Sequence, residues 1–208
     1  MPALRLAGIR KAYGRHTILR DLDLDVAAGE TVAILGANGS GKSTLLRVCA
    51  TIARPDVGSI EVGGVDARKE PEAARRKTAI LLQDAPAYAE LTPHEHLSWW
   101  ARLHGLGLPG DAIEAATVDA GLAPSAHKPT GLLSRGQRQR LAIAMALLPA
   151  CEVTLLDEPF AGLDDAGRRW AEARLAGRGG AVLLVVHDES DAQRLADRAL
   201  RLEGGRLR

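Results

Sequence analysis

Cysteine is scarce: the 208 residues hold two, Cys49 and Cys151, each alone in an apolar setting. They form neither a CxxC pair nor a dense framework. That excludes a disulfide scaffold and leaves buried thiols in a reducing compartment. An excess of one charge is missing too. The 27 Lys and Arg balance 26 Asp and Glu to a net charge of +1, so neither a nucleic-acid-binding surface nor an acidic tail is expected. The longest apolar runs, LAIAMALL (141–148) and AVLLVV (181–186), fall well short of the about 20 residues that a membrane span needs. The opening MPALRLAGIRK lacks the apolar core of a leader. No internal repeat, low-complexity tract or linker interrupts the chain. The expectation is a soluble, cytoplasmic protein with no direct membrane insertion, whose membrane role, if it has one, is borrowed from a partner.

What is present suits one large domain, or a domain with a subdomain: 46% apolar and 25% charged residues. DLDLDV (21–26) alternates acid with apolar, the period of a half-exposed strand, and LRLAGI is its expected partner. TVAILG (31–36), TAILLQD (78–84), EVTLLD (152–157) and AVLLVV read as strands buried on both faces. Between them lie helical patterns, the first from about Ser43, and RPDVGSIEVGG reads as a turn and a short strand. The tail RALRLEGGRLR is a Gly-Gly hairpin. Strand and helix in alternation predict an α/β fold with a mostly parallel sheet, beside an antiparallel β region in the N-terminal part.

The rhythm breaks between Gln83 and Leu133, where helix follows helix. Thr92-Pro93-His94-Glu95 is a capping box with proline at the first helical position, and Asp111 is the expected cap of the next segment. The expected organisation is a single domain over 1–208, with a β core at 1–83 and 134–208 and an inserted helical subdomain at 84–133.

GANGSGKST (36–44) matches the phosphate-loop pattern between a buried strand and a helix, the context the motif requires. Gly36, Asn38, Gly39, Ser40, Gly41, Lys42, Ser43 and Thr44 are therefore expected to contact nucleotide. Lys42 would reach the β- and γ-phosphates, and the Ser43 hydroxyl would ligate Mg²⁺. In LLDEP, a strand ending in Asp157 delivers a carboxylate for Mg²⁺ to the sheet's carboxyl edge. Glu158, one residue on, points elsewhere and is the expected general base. His187 closes its own strand in the same way. Two roles stay open for it, sensing the γ-phosphate or an ordinary structural one. The other histidines are read as structural or solvated, since HEH (94–96) lacks the i, i+4 spacing of a helical zinc site. LLSRGQRQRL (132–141) starts a helix with a cap, no acid and three arginines, as if it faced an external anion.

In order, GANGSGKST, Gln83, LSRGQ, LLDEP, AGLD (161–164) and His187 resemble the nucleotide-binding domain of ATP-binding cassette (ABC) ATPases across essentially the whole chain. LSxGQ shortly before LLDEP is the specific part, since many NTPases share the phosphate loop. The resemblance implies a P-loop NTPase core binding ATP with Mg²⁺. It implies that Tyr13 stacks on adenine, and that Gln83 links Mg²⁺ and the attacking water to a transmembrane partner. It also implies a head-to-tail pair of cassettes, expected to be a homodimer. There Ser134, Gly136 and Gln137 of one chain cap ATP on the other's phosphate loop, and AGLD crosses the interface. The family usually has a small residue in place of Arg135, which leaves that side chain open between a phosphate contact and solvent. Arg138 and Arg140 read as a basic helix face.

The expected function is ATP hydrolysis coupled to transmembrane permease subunits at the cytoplasmic face of the membrane. The chain ends at Arg208, just after the last hairpin, so no C-terminal regulatory domain is expected. LTPHEHLSWWARLHGL and DEPFAGLD further resemble the ATP-binding subunit of the haem exporter of cytochrome c biogenesis. The alternatives are another small-molecule or multidrug exporter, or a non-transport ABC ATPase. A P-loop kinase explains GANGSGKST but not LSRGQ or AGLD.

Overall fold

The computed structural model describes residues 2–83 and 88–208. These form two compact units. The first holds residues 1–82, 151–158 and 178–208, and the second 83–150 and 159–177.

The first unit carries two sheets. Strands β1 (Pro2–Tyr13) and β2 (His16–Ala27) pair antiparallel, and β4 (Val57–Val62) and β5 (Val65–Asp66) follow β3 (Thr31–Leu35) and helix α1 (Lys42–Cys49) in the chain. The antiparallel sheet runs β2-β1-β4-β5. In DLDLDV, Leu22, Leu24 and Val26 are buried and the aspartates exposed, as the alternation requires. Upstream the period slips. Ile9 pairs with Leu22 but Lys11 with Leu19, so an extra β2 residue is taken up where Asp21 turns to φ 47°. That bulge lets Leu19 face the same core as Leu22.

After α2 (Pro71–Arg76) and β6 (Thr78–Leu81), the chain leaves this unit and returns as β7 (Val153–Asp157). The second sheet is completed by β8 (Ala181–Val185), β9 (Arg198–Glu203) and β10 (Arg206–Leu207), and runs β10-β9-β3-β8-β7-β6. All its pairs are parallel except the β9–β10 hairpin. β7 and β8 are buried at every residue, which explains their unbroken apolar runs. β6 ends at Leu81, short of the expected 78–84, and Asp84 lies outside the described residues.

The second unit is helical. It contains α3 (Pro93–Leu103), α4 (Gly110–Asp119), α5 (Arg135–Leu147) and α6 (Asp165–Ala176); α7 (Glu189–Leu195) belongs to the first unit. Leu97 and Ala101 of α3, Ile113 of α4, and Leu141 and Ala144 of α5 share one apolar cluster, against which Trp170 of α6 packs. The helical unit therefore reaches beyond the expected 84–133. The buried side of α5 and the indole of Trp170 have their apolar partners there, so both helices go with it. The Thr92 capping box is present, with Thr92 N donating to Glu95 Oε2 at 2.8 Å and Glu95 N to Thr92 Oγ1 at 3.2 Å. Asp111 is not a cap. Pro109 holds that position without a side-chain bond, and Asp111 lies in the first turn, where its Oδ1 accepts from Ala112 N.

Candidate nucleotide-binding site

β8 lies between β3 and β7, so three strand ends meet along one edge of the parallel sheet. They release the glycine-rich loop, Val186-His187, and Asp157-Glu158. This is the carboxyl edge, where ligands of parallel α/β sheets collect.

The loop from Gly36 to Gly41 is built around close approaches. A Cβ on Gly36 would stand 2.7 Å from the Leu202 carbonyl oxygen and 2.8 Å from Ser40 Oγ. One on Gly41 would stand 2.7 Å from Ile18 Cγ2. Gly41 is also the cap of α1, at φ 108°, and supplies no side-chain bond to the helix's first N–H groups. Lys42 is 6% exposed, and its ammonium donates to the carbonyls of Gly36 (2.6 Å) and Ala37 (3.0 Å). Its charge is thus fixed inside the curl. Ser40 Oγ is buried without a hydrogen-bond partner among the described residues. A buried hydroxyl left unmatched is rare, and an anion held by the loop would supply the acceptor it lacks. A helix start without a side-chain cap, a fixed cation and an unmatched hydroxyl fit a phosphate chain.

Asp157 ends β7 and is 2% exposed. Burial pushes its carboxyl above the ordinary 3.8 and Glu158 adds to the rise, while the Ser43 hydroxyl, Lys42 and Arg47 pull the other way. Ser43 and Asp157 therefore stand together as hard oxygen donors. Mg²⁺ asks for little more from a protein, because phosphates and water complete its shell. Among the described residues no group of three His, Cys, Asp or Glu side chains forms an all-protein metal cage.

Glu158 leaves the strand at φ 49°, a left-handed turn that costs a non-glycine residue about 1–2 kcal/mol. Its N–H still donates to the Val185 carbonyl at 3.0 Å. Its Oε1 meets His187 Nε2. His187 is thus neither free nor simply solvated. Tyr13 ends β1 with its ring half exposed and Lys11 Nζ 5.1 Å from the ring centre. Its hairpin partner β2 carries Ile18, which backs Gly41.

The expected contacts on the helical unit have their own geometry. Ser134 caps α5: its Oγ accepts from Gln137 N at 3.2 Å, and Gln137 Oε1 accepts from Ser134 N at 2.9 Å. A serine hydroxyl has two acceptor lone pairs and one hydrogen, so the cap leaves its hydrogen available. Gly136 was expected to help cap ATP on the other chain's loop. Its missing Cβ also makes room within the chain, since a Cβ there would stand 2.9 Å from the Gly162 carbonyl oxygen. Gln83 is exposed.

The basic face is a correction. Arg138 Nη1 donates to the Leu133 carbonyl at 2.6 Å, and Arg140 Nη2 to Asp164 Oδ1 at 2.5 Å. Arg135 does not simply point to solvent either, because its stem lies against Gly162. Sequence reasoning missed these contacts. The only trace of them was the crowding of long donors just after Gly136. His96 is buried between Thr92 O and Tyr88 N, consistent with its structural reading.

The fold and the loop define the class: a P-loop NTPase. The family follows from comparison, since the sequence profile described as ABC transporter matches residues 19–161. The chain belongs to the ABC transporter family, whose cassettes bind and hydrolyse ATP. It is 40% identical to the daunorubicin resistance ATP-binding protein DrrA3 of Streptomyces coeruleorubidus, over 99% of this chain and 66% of that protein. It is 39% identical to the aliphatic sulfonates import protein SsuB of Pseudomonas putida, over 96% of this chain and 73% of that one. The Nod factor export protein I of Rhizobium johnstonii is 36% identical, over 98% and 67%. A solved ATP-binding subunit of an ABC transporter superposes with a TM-score of 0.90 at 29% identity, covering 99% of this chain and 88% of that one. The dimeric structure of a bacterial ABC transporter cassette gives 0.88 at 26% identity, over 98% and 96%. These relatives' names cover drug resistance, sulfonate import and Nod factor export, and haem is not among them. No helix of the described residues is long and apolar enough to cross a membrane.

Proposed function

We propose that this cassette hydrolyses ATP with Glu158 as general base, and that two copies work head to tail against transmembrane permease subunits at the cytoplasmic membrane face. The observation that carries the reading is the left-handed turn at Glu158, whose carboxylate meets His187. A non-glycine residue held in such a turn marks a place where geometry matters more than local stability. Lys42 and the loop N–H groups bind and orient the phosphates. Ser43, Asp157 and Gln83 would hold Mg²⁺, which would supply charge neutralisation on the phosphate oxygens. Glu158 takes the proton of the attacking water, and His187 fixes the carboxylate and meets the γ-phosphate. Tyr13 stacks on the base.

The second cassette is called for by chemistry. Ser134 keeps one hydroxyl hydrogen to donate, and the α5 start has no acid to satisfy its dipole. The γ-phosphate on a partner's loop supplies that anion, and the dimeric cassette of known structure supports such pairing. As cargo we infer a small solute chosen by the membrane subunits. The haem reading rests on LTPHEHLSWWARLHGL and DEPFAGLD alone, and His96 in that segment is already committed to Thr92 and Tyr88. Co-purification with membrane proteins of cytochrome maturation would decide for it.

Glu158→Gln should bind ATP as the parent does and turn it over at least about a hundredfold more slowly, accumulating a closed pair. Hydrolysis at the parent rate would sink the base assignment. The parent's specific activity should also rise with protein concentration, and a flat profile would sink the pairing.

A further inference from the structure

We propose that one face of α5 clamps the segment Pro159–Asp164, making Gln139 and Arg140 positioning residues for the Glu158 base. The inference rests on Glu158 as general base and concerns what holds it.

Gln139 and Arg140 lie three and four residues after Gly136, on the same side of the helix as it. Each meets the same short segment. Gly136 admits the Gly162 carbonyl to a distance no side chain would allow, as its 2.9 Å approach to a built Cβ shows. Gln139 Nε2 donates to the Pro159 carbonyl at 2.8 Å. Arg140 Nη2 donates to Asp164 Oδ1, the oxygen that also accepts from Gly167 N at 2.8 Å to cap α6. From the neighbouring position, the Arg135 stem covers Gly162. Both ends and the middle of Pro159–Asp164 are therefore held by two turns of one helix.

The seat of Arg140 is shaped for it. A Cβ on Gly121 would stand 2.6 Å from its Nη1, and one on Gly167 2.7 Å from its Nε. Its side chain is only 18% exposed, although it belongs to a residue type that favours solvent. A guanidinium confined between two glycines and bound to a carboxylate is a fixed strut. An arginine of a solvated face has no such confinement.

The consequence runs along the backbone. Pro159 is peptide-bonded to Glu158, and a residue before proline favours extended backbone. Glu158 holds φ 49° instead, against that preference and against its own side chain. The Gln139 bond fixes the Pro159 carbonyl, and hence the exit direction of the turn. The Arg140–Asp164 pair fixes the far end of the segment. Because Ser134 begins the same helix, whatever moves the α5 start also moves the anchor of the residue that follows the base.

The test is steady-state ATP turnover by the full chain with Arg140→Gln, Asp164→Asn, Arg140→Lys and Gln139→Ala. Asn is an N-cap as good as Asp, so Asp164→Asn removes the ionic contact and keeps the α6 cap. Arg140→Gln and Asp164→Asn should each lower kcat about tenfold, the scale of a small misplacement of a catalytic group. KM for ATP should stay within about twofold, since ground-state binding is untouched. The double variant should be no slower than the slower single, because both remove one contact. Arg140→Lys should recover part of the loss. Should Arg140→Gln fail to fold, Gln139→Ala, which deletes a single bond, decides by the same kcat criterion. A kcat within about twofold of the parent, a loss confined to KM, or additive losses in the double variant would overturn the clamp. The two readings fail separately. Parent-like hydrolysis by Glu158→Gln removes the base, whereas an inactive Glu158→Gln beside fully active Arg140→Gln and Gln139→Ala removes only the clamp.

Discussion

Among the described residues two α-helices start without an acidic residue in the first turn, α1 and α5, and they treat their N-terminal N–H groups in opposite ways. Gly41 gives α1 no side-chain cap, and the nearest charge is the buried Lys42. Its donors are left for a ligand. Ser134 and Gln137 close the start of α5 with two reciprocal bonds, and what remains is one hydroxyl hydrogen and the dipole. The first site is built to capture an anion unaided, since it combines free donors with a full charge. The second adds too little to hold one alone. It suits an anion already held elsewhere, and in the proposed function binding on the loop would come first and capping by the serine afterwards.

Lys42→Ala breaks the comparison most severely, because it removes the buried ammonium that the capturing site offers to an anion. ATP affinity should fall by about 2 kcal/mol, roughly thirtyfold, the scale of a charge-assisted hydrogen bond. Calorimetry on the purified chain reads it directly, and an unchanged Kd would count against the loop as the primary site. Ser134→Ala should do the reverse. The protein should lose about 1 kcal/mol of stability with the cap, seen as a lower Tm, while ATP binding to the single chain stays at parent affinity. A lost affinity equal to that of Lys42→Ala would erase the distinction between the two helix starts.

The local geometry of the loop and α1 start was legible in the sequence, and the contacts of the α5 face were not, for a physical reason. GANGSGKST and LLDEP carry their partners beside them, as loop with helix or strand with acid, so spacing alone announces the chemistry. The parallel strands were equally plain, because a strand buried on both faces has an unbroken apolar run. The clamp joins residues 20 and 24 positions apart, Gln139 to Pro159 and Arg140 to Asp164. Nothing local distinguishes an arginine bound to a distant loop from one facing water. The same limit moved the boundary of the helical unit. The pattern of α5 gave its helix but not which cluster its apolar side joins. The cap at Asp111 failed more simply, since Gly110 begins the helix one residue earlier and Asp111 falls inside it.

Asp157→Asn tests the electrostatic cost of the capturing site, with a subtler effect on heat stability. Burial holds the Asp157 carboxyl above 3.8, so the folded chain binds that proton more tightly than the unfolded one. Ionisation of Asp157 therefore costs stability. The cost is absent below the ordinary carboxylate range and fully present above the raised value. Without Mg²⁺ and nucleotide, Asp157→Asn should melt above the parent at pH 7, and the advantage should vanish as the pH falls through the carboxylate range. A parent-like Tm at both ends would mean that the Ser43, Lys42 and Arg47 contacts offset the burial completely.

The smallest effect is expected at Arg135, where the chain departs from the small residue usual in its family. Its guanidinium has no ion pair among those of the described residues, while its stem rests on Gly162. A long side chain that packs through its methylenes contributes by coverage more than by charge. Arg135→Ala keeps the helix propensity and removes both. Stability should shift by no more than about 0.5 kcal/mol, as for most surface changes. Turnover should fall less than about threefold, since the bonded members of the clamp, Gln139 and Arg140, stay in place. Salt separates the two roles left open for this residue. If the stem alone matters, parent and Arg135→Ala lose ATP-driven pairing in parallel as ionic strength rises. If the guanidinium meets a partner's phosphate, the parent falls more steeply, because screening removes a charge contact that the variant never had.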